Sequence, residues 1–230
     1  MLEFKAADRV GEIVIRRPAA GNAFTGEMAR QLGEIMRETA RNADILTLSG
    51  EGDDFSIGRD RHEPKSGAPF DAFRHISAVN DAIAAFPGIL ISKVRGRAFG
   101  FGVGLVMRSD LAFAASDTQF GLDEVAHGIP PMFIMEAMVD HLAPKQALEI
   151  ILSGRQFGAE EALRMGVVSQ LAPAGALDQV VADFVAALRG KDRRVVLACK
   201  RYLRAVGKLP ADARSAFALV EQTQFAMSKT

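Results

Sequence analysis

Residues 89–104 read ILISKVRGRAFGFGVG, an apolar segment that leads directly into a run of closely spaced glycines. The ILISKV part is rich in apolar and β-branched residues, which predicts a buried strand. Glycines at a strand-to-helix turn let the backbone approach a ligand and leave helix N-terminal N–H groups free. Such groups suit a phosphate or a developing oxyanion, although a tight turn without a ligand is an equal alternative for this segment alone.

Strand and helix patterns alternate around this segment. The region after about residue 132 is mostly helical, with a short extended piece at 167–171. Strands joined by helices, each covered on both faces, predict an α/β fold with a helical C-terminal layer. The predicted strands are 2–6, 11–16, 45–48, 89–94 and 110–116, and the predicted helices are 25–41, 69–86, 175–189, 192–206 and 210–228.

The composition excludes several classes of protein. The chain has 230 residues, 49% of them hydrophobic, and 28 basic residues balance 28 acidic ones. That balance leaves no basic surface for nucleic acid, so an anionic ligand must be held by local groups. Cys199 is the single cysteine, which excludes an intrachain disulfide, and no metal site is expected. Without a long apolar segment or a signal-peptide pattern, we expect a cytoplasmic protein that does not bind membranes.

Two further segments carry residues that could take part in chemistry. Residues 54–60, DFSIGRD, form a second glycine turn after a strand. Residues 120–131, FGLDEVAHGIPP, place Glu124 between apolar residues before a Gly/Pro turn. Such a carboxylate can face a cleft, but more often it caps a turn. His127 carries a weaker signal, and His62 and Glu63 are most simply solvated loop residues.

Five segments, taken in order, resemble the crotonase (enoyl-CoA hydratase/isomerase) family. The first runs from Arg17-Pro18 to the Asn22-Ala-Phe sequence. The other four are Leu48 to Asp60, Gly96 to Asp110, Phe120 to Pro130 and the stretch from Gln146 to Val168. Each motif is loose by itself, and the specificity comes from their shared order.

The resemblance implies a crotonase-like spiral of ββα units over residues 1–172, which carries an acyl-CoA site. It also implies a helical C-terminal region over residues 173–230, shortened relative to the family. Family members are usually trimers or paired trimers, so a homotrimer or hexamer is expected. The implied ligand is an acyl-CoA thioester, in which coenzyme A is part of the substrate, and no other cofactor is expected. Fatty acid metabolism is the implied context.

The resemblance also implies roles for individual residues. The backbone N–H groups of Arg59 and Phe101 would form the oxyanion hole, and Glu124 would be the catalytic carboxylate. The residues expected to bind the substrate or its CoA part are Ala23, Ile57, Gly58, Asp60, Arg61 and Gly100.

Departures from the family pattern select among the family's reactions. Hydratases of the family use two glutamates, and Gly104 stands where the first would be. Because one carboxylate suffices for a 1,3-proton shift, the pattern favours an enoyl-CoA isomerase. Hydrolases of the family carry an aspartate at the position of Met132. The methionine there makes hydrolysis a weaker interpretation than isomerisation.

Several points stay open at this stage. Asp123 replaces the proline usual before the glutamate and would raise the Glu124 pKa if the two lie close. The side chains of Arg59 and Arg61 could bind an anion or face solvent. The alternatives are another reaction of the family, namely hydration by His62, Glu63 or Asp123, hydrolysis or decarboxylation, and a CoA-ester-binding protein without efficient catalysis.

Overall fold

The computed structural model describes residues 1–64 and 69–227, and side chains are described outside residues 65–72. Two compact units divide the chain, Met1–Asp183 and Phe184–Thr230. None of the helices in the described ranges is long and apolar enough to cross a membrane.

A six-stranded sheet in the order β1-β2-β3-β4-β6-β9 forms the centre of the first unit. The β1–β2 pair is antiparallel and the other pairs are parallel. Both faces of β3 are buried, with Ile45, Leu46 and Leu48 in the core. The strands are β1 (Leu2–Ala7), β2 (Val10–Ile15), β3 (Ile45–Gly50), β4 (Ile89–Val94), β6 (Leu111–Ala115) and β9 (Gln170–Ala172).

A smaller sheet of three short strands lies in the same unit. It contains β5 (Arg97–Phe99), β7 (Gln119–Gly121) and β8 (Gln156–Gly158), with β7 in the middle. The Phe55–Ile57 segment runs beside β5, because Ser56 pairs with Ala98 and the Phe99 N–H donates to the Ser56 carbonyl over 2.9 Å. Phe99, Gly121 and Gln156 are in register across this sheet. The loops after β5, after β7 and before β8 therefore lie at the same end of it.

Helices cover the sheets of the first unit. Helix α1 begins after Thr25, whose hydroxyl accepts a hydrogen bond from the Met28 N–H as an N-cap. Its face of buried Met28, Leu32, Ile35 and Met36 packs in the core. The helices are α1 (Gly26–Thr39), α2 (Pro69–Ala85), α3 (Phe101–Arg108), α4 (Met132–Met138), α5 (Pro144–Ser153), α6 (Ala159–Arg164) and α7 (Leu177–Arg189), which runs into the second unit.

The second unit contains the end of α7 together with α8 (Arg193–Val206) and α9 (Arg214–Met227). Asp192 caps α8 by accepting a hydrogen bond from the Arg194 N–H. Tyr202 of α8 stacks on Phe217 of α9, with ring centroids 5.4 Å apart.

The predicted α/β class with C-terminal helices is confirmed, and the longer elements lie within a few residues of their predicted bounds. The extended piece predicted at 167–171 is displaced, because Val167 and Val168 are buried loop residues and β9 begins at Gln170. The three strands of the small sheet were not predicted, since each has only three residues and none shows a period.

Candidate active site

Two chain segments run side by side next to the small sheet, and one of them carries the glycine turn of residues 54–60. The Phe24 N–H donates to the Gly58 carbonyl over 2.8 Å, and the Asp60 N–H donates to the Phe24 carbonyl over 2.8 Å. The fully buried Ser56 hydroxyl donates to the Asn22 carbonyl and accepts from the Gly58 N–H. These bonds fix the path of the backbone through Arg59.

Two backbone N–H groups at this edge have no internal acceptor. Those of Arg59 and Phe101 donate no hydrogen bond within residues 1–64 and 69–227, whereas those of Gly58, Asp60 and Gly100 are all bonded. Phe101 is the first residue of α3, where the helix itself offers no acceptor. This pattern supports the sequence-based assignment of the two donors, because the N–H groups on both sides of Arg59 and the one before Phe101 are already used.

Gly58 and Gly100 allow the two donor loops to approach each other closely. Both have positive φ, +99° and +51° respectively, where side chains are strained. A Cβ atom on Gly58 would lie 3.4 Å from the Phe101 nitrogen, and one on Gly100 would lie 3.7 Å from the Gly58 Cα. The two glycines thus let the loop that carries the Arg59 N–H lie close to the loop that carries the Phe101 N–H.

The carboxylate of Glu124 lies against this pair of loops. A Cβ atom on Gly100 would be only 2.6 Å from Glu124 Oε1. Glu124 Oε2 is buried and has no hydrogen-bond partner among the described residues. Burial is the main cause that raises the pKa of Glu124, and the charge of Asp123 adds to it. A hydrogen bond from its own backbone N–H, and the nearby Arg61 and His127, act in the opposite direction.

An exposed cluster of side chains joins the loop that carries the Arg59 N–H, here called the first donor loop, to the segment that carries Glu124. Arg61 Nη2 donates to Asp123 Oδ1 over 2.5 Å, and its Nη1 donates to His127 Nε2 over 2.7 Å. Because the guanidinium can only donate, His127 Nε2 must be the acceptor, and its Nδ1 then donates to the Asp123 carbonyl over 2.9 Å. The side chain of Arg61 therefore holds the Glu124 segment, a role that the sequence did not reveal.

The other residues expected to bind CoA lie on the paired segments. Arg17 Nη1 donates to the Ala23 carbonyl, and its Nη2 forms a 2.7 Å ion pair with Asp60. The Asp60 carboxylate also accepts from the His62 N–H, and these contacts lower its pKa, the His62 bond most. Ile57 packs over Gly21, where a Cβ atom would come within 3.0 Å of the isoleucine side chain.

The guanidinium of Arg108 lies beside Gly104. A Cβ atom at this position would have only Ile134 Cγ1, at 3.6 Å, and Arg108 Nη1, at 3.7 Å, within 4 Å. Both are ordinary van der Waals distances, so the fold does not require glycine here. Arg108 was not singled out from the sequence, because one arginine near a helix end has no distinctive pattern.

Two of the three alternative bases, Glu63 and Asp123, are engaged elsewhere, as far as the described residues show. The Glu63 carboxylate accepts from the Gly26 N–H over 2.8 and 3.0 Å at the start of α1, and Arg59 Nη2 lies 3.5 Å away. The expectation that Glu63 is a solvated loop residue was wrong, since it stabilises a helix N-terminus. Asp123 is paired with Arg61. No group of three metal-ligating side chains occurs in the described part of the chain.

This arrangement combines two free N–H donors with one buried carboxylate that has an unused oxygen. Donors of this kind stabilise negative charge on a carbonyl oxygen, each by about 2.7–4 kcal/mol in the transition state. A carboxylate of raised pKa can accept and return a proton near neutral pH.

Comparison with known proteins identifies the family of this chain. The profile of the enoyl-CoA hydratase/isomerase family matches residues 5–226. The chain therefore belongs to the enoyl-CoA hydratase/isomerase family, the crotonase superfamily, and the resemblance seen in the sequence is confirmed.

Individual relatives are similar over most of the chain. It is 26% identical over 212 residues to a hydroxycinnamoyl-CoA hydratase-lyase of Pseudomonas fluorescens, across 84% of this chain and 74% of that protein. It is 32% identical over 167 residues to the echA8 protein of Mycobacterium leprae, named a probable enoyl-CoA hydratase, across 71% of this chain and 65% of that one. The crystal structure of an enoyl-CoA hydratase of Mycobacterium smegmatis superposes with a TM-score of 0.88 at 26% identity, across 96% and 89% of the two chains.

Proposed function

We propose that this protein is an enoyl-CoA isomerase that converts a 3-enoyl-CoA into the conjugated 2-enoyl-CoA. The observation that carries the proposal is the single carboxylate at the donor pair. Glu124 Oε2 is buried without a partner among the described residues, and Gly104 stands at the position of the family's first glutamate.

The proposed reaction uses these groups in two steps. The thioester oxygen accepts hydrogen bonds from the Arg59 and Phe101 N–H groups, which makes the C2 proton more acidic. Glu124 removes this proton, and the resulting dienolate keeps its negative charge on the oxygen in the hole. Glu124 then returns the proton to C4. The raised pKa of Glu124 suits both steps, because the base must also act as an acid.

Substrate binding is proposed along the same edge. The CoA part would lie by Ala23, Ile57 and Arg61, with Gly58, Asp60 and Gly100 shaping the backbone that receives the thioester. Of these, Asp60 acts through its ion pair with Arg17, which fixes the first donor loop. The CoA-ester names of the relatives support this choice of ligand.

Hydration is the second candidate, because the relatives bear hydratase names. Adding water to a conjugated double bond needs a base for the water and a proton for C2. Glu63 and Asp123 are both occupied by other partners, so neither is free to serve as the second group.

The test of the proposal is Glu124→Gln, with Glu160→Gln on the exposed side of α6 as the matched control. Glu124→Gln should lower isomerisation of a 3-enoyl-CoA by about 10²-fold or more and abolish deuterium uptake at C2 in heavy water, with CoA-ester binding kept. The control should behave as wild type. An unchanged rate in Glu124→Gln removes Glu124 from the mechanism.

A homotrimer or hexamer is proposed for the assembly. Large apolar side chains on α4, directly after it and on α5 are exposed, namely Met132 at 67%, Val139 at 74% and Leu152 at 63%. Covering such surface would favour association. Light scattering at micromolar concentration should report three or six copies, and a stable monomer would contradict the proposal.

A further inference from the structure

Gly100, Gly104 and Arg108 form one row along α3. Residues four apart lie on the same face of a helix, and the helix rises about 1.5 Å per residue. The Glu124 carboxylate lies at Gly100, and Arg108 Nη1 lies 3.7 Å from where a Cβ of residue 104 would be. The row therefore has a carboxylate at its start and a guanidinium about one turn further on, and the space beside Gly104 is also bordered by Ile134 Cγ1, 3.6 Å from the same Cβ position.

The guanidinium of Arg108 is buried and only partly used. Its Nη2 donates to the Phe133 carbonyl over 2.5 Å and to Glu136 Oε2 over 3.0 Å. Its Nη1 and Nε donate to no acceptor within the residues that the structure describes. The side chain of Arg108 is only 12% exposed, whereas that of Glu136 is 68% exposed.

The electrostatics at Arg108 favour a further anion. Burial is the largest influence on its pKa and lowers it, while Glu136 and Asp140 act in the opposite direction. Arginine remains charged in proteins, so the cost of burial falls on a permanent cation. The N–H groups of Nη1 belong to this permanent cation and have no acceptor among the described residues, so they can donate to an oxygen of a bound carboxylate.

We propose that Arg108 binds a carboxylate on the acyl group, so that the preferred substrates are CoA thioesters of unsaturated dicarboxylic acids. This inference rests on the proposed function, since it uses the same oxyanion hole and Glu124. With the thioester oxygen at the Phe101 N–H and C2 at Glu124, the acyl chain runs along the row. Its terminal carboxylate then meets Arg108 about 6 Å further on, a distance that a few carbon–carbon bonds span.

The glycine at position 104 acquires a role in this arrangement. A glutamate there would carry its own carboxylate to the side of Arg108 and would take the donors that the substrate needs. Glycine places no side chain of its own beside Arg108, so Arg108 Nη1 stays available.

The test compares two substrates of equal length, 3-hexenoyl-CoA and 3-hexenedioyl-CoA. Wild type should prefer the dicarboxylic substrate in kcat/KM. Arg108→Gln keeps a donor for the Phe133 carbonyl but removes the charge. It should lower kcat/KM for the dicarboxylic substrate by about 10- to 100-fold, as expected for a charged hydrogen bond, and change the neutral one by less than about threefold.

Glu136→Ala is the matched control, because it removes the ion pair with α4 and keeps the cation. The preference for the dicarboxylic substrate should persist in this variant. If Arg108→Gln lowers kcat/KM equally for both substrates, Arg108 only holds α4 and the inference is overturned.

A binding measurement separates this inference from the proposed function. The saturated pair, adipoyl-CoA and hexanoyl-CoA, cannot react, and calorimetry gives their affinities directly. Tighter adipoyl-CoA binding that is lost in Arg108→Gln supports the inference even if neither enoyl substrate is isomerised. Equal affinities in wild type overturn it, whatever the reaction proves to be.

Discussion

The Glu124 carboxylate lies against the Cα of Gly100, and a Cβ atom at position 100 would stand 2.6 Å from Glu124 Oε1. Gly100 also precedes the first N–H of α3, the proposed donor of Phe101. The absence of a side chain at position 100 thus lets both proposed groups lie close to one substrate. Glu124 can meet its C2, and the Phe101 N–H can meet its thioester oxygen. The first predictions concern the charge of this carboxylate.

Asp123 and Arg61 should shift the acid side of the pH–rate profile in opposite directions. Asp123 raises the pKa of Glu124 and Arg61 lowers it. Since the ionised carboxylate is the base, kcat/KM falls as pH drops through the Glu124 pKa. Asp123→Asn should move this fall to lower pH, and Arg61→Gln should move it to higher pH. The profile of kcat/KM for a 3-enoyl-CoA checks both, and shifts of the same sign in the two variants would show that neither charge acts directly.

The buried carboxylate should also make stability depend on pH. The folded-state pKa of Glu124 lies above its ordinary value of 4.5, so the unfolded chain loses this proton first as pH rises. The free energy of unfolding of wild type should therefore decrease relative to that of Glu124→Gln as pH rises above about 4.5. Urea unfolding of both proteins between about pH 4.5 and pH 8 measures the difference. A free energy of unfolding of wild type that rises with pH relative to that of Glu124→Gln would mean that the folded protein stabilises the charged carboxylate, and it would contradict the prediction.

Phe101 should tolerate loss of its ring better than loss of its N–H. Its ring packs edge-on against Phe24, with centroids 5.1 Å apart, so Phe101→Ala should cost about 3–5 kcal/mol of stability. The alanine backbone still donates, and activity per folded molecule should stay within about tenfold. Proline is accepted at the first position of a helix but has no N–H, so Phe101→Pro should lose about 10²–10³ in kcat.

Both Phe101 variants need their folded fraction measured by circular dichroism before the rates are compared. Equal losses of activity in folded Phe101→Ala and Phe101→Pro would contradict a role for the backbone donor.

The parts that could be predicted from sequence were those with a strong local pattern. Apolar β4 and the capped start of α1 at Thr25 follow from residue types within a few positions. The donor positions Arg59 and Phe101 came from the family resemblance, since the local glycine pattern alone left a plain turn equally possible.

The parts that could not be predicted depend on contacts between distant segments. The Arg61–Asp123 pair joins residues 62 positions apart, and Arg108 lies 25 positions from the Phe133 carbonyl that it contacts. Glu63 is another such case, because its helix-capping role depends on Gly26, 37 positions earlier. These contacts of charged side chains depend on the tertiary fold, so they have no local pattern in the sequence.

The comparison of two wild-type reactions tests the central claim most directly. Isomerisation of 3-hexenoyl-CoA and hydration of crotonyl-CoA are measured with the same preparation. With Glu124 as the only free carboxylate at the donor pair in the described residues, kcat/KM for isomerisation should exceed that for hydration by about 10²-fold or more, the usual contribution of one acid–base group. Hydration that matches or exceeds isomerisation would mean that another residue supplies the second acid–base group, and it would contradict the account.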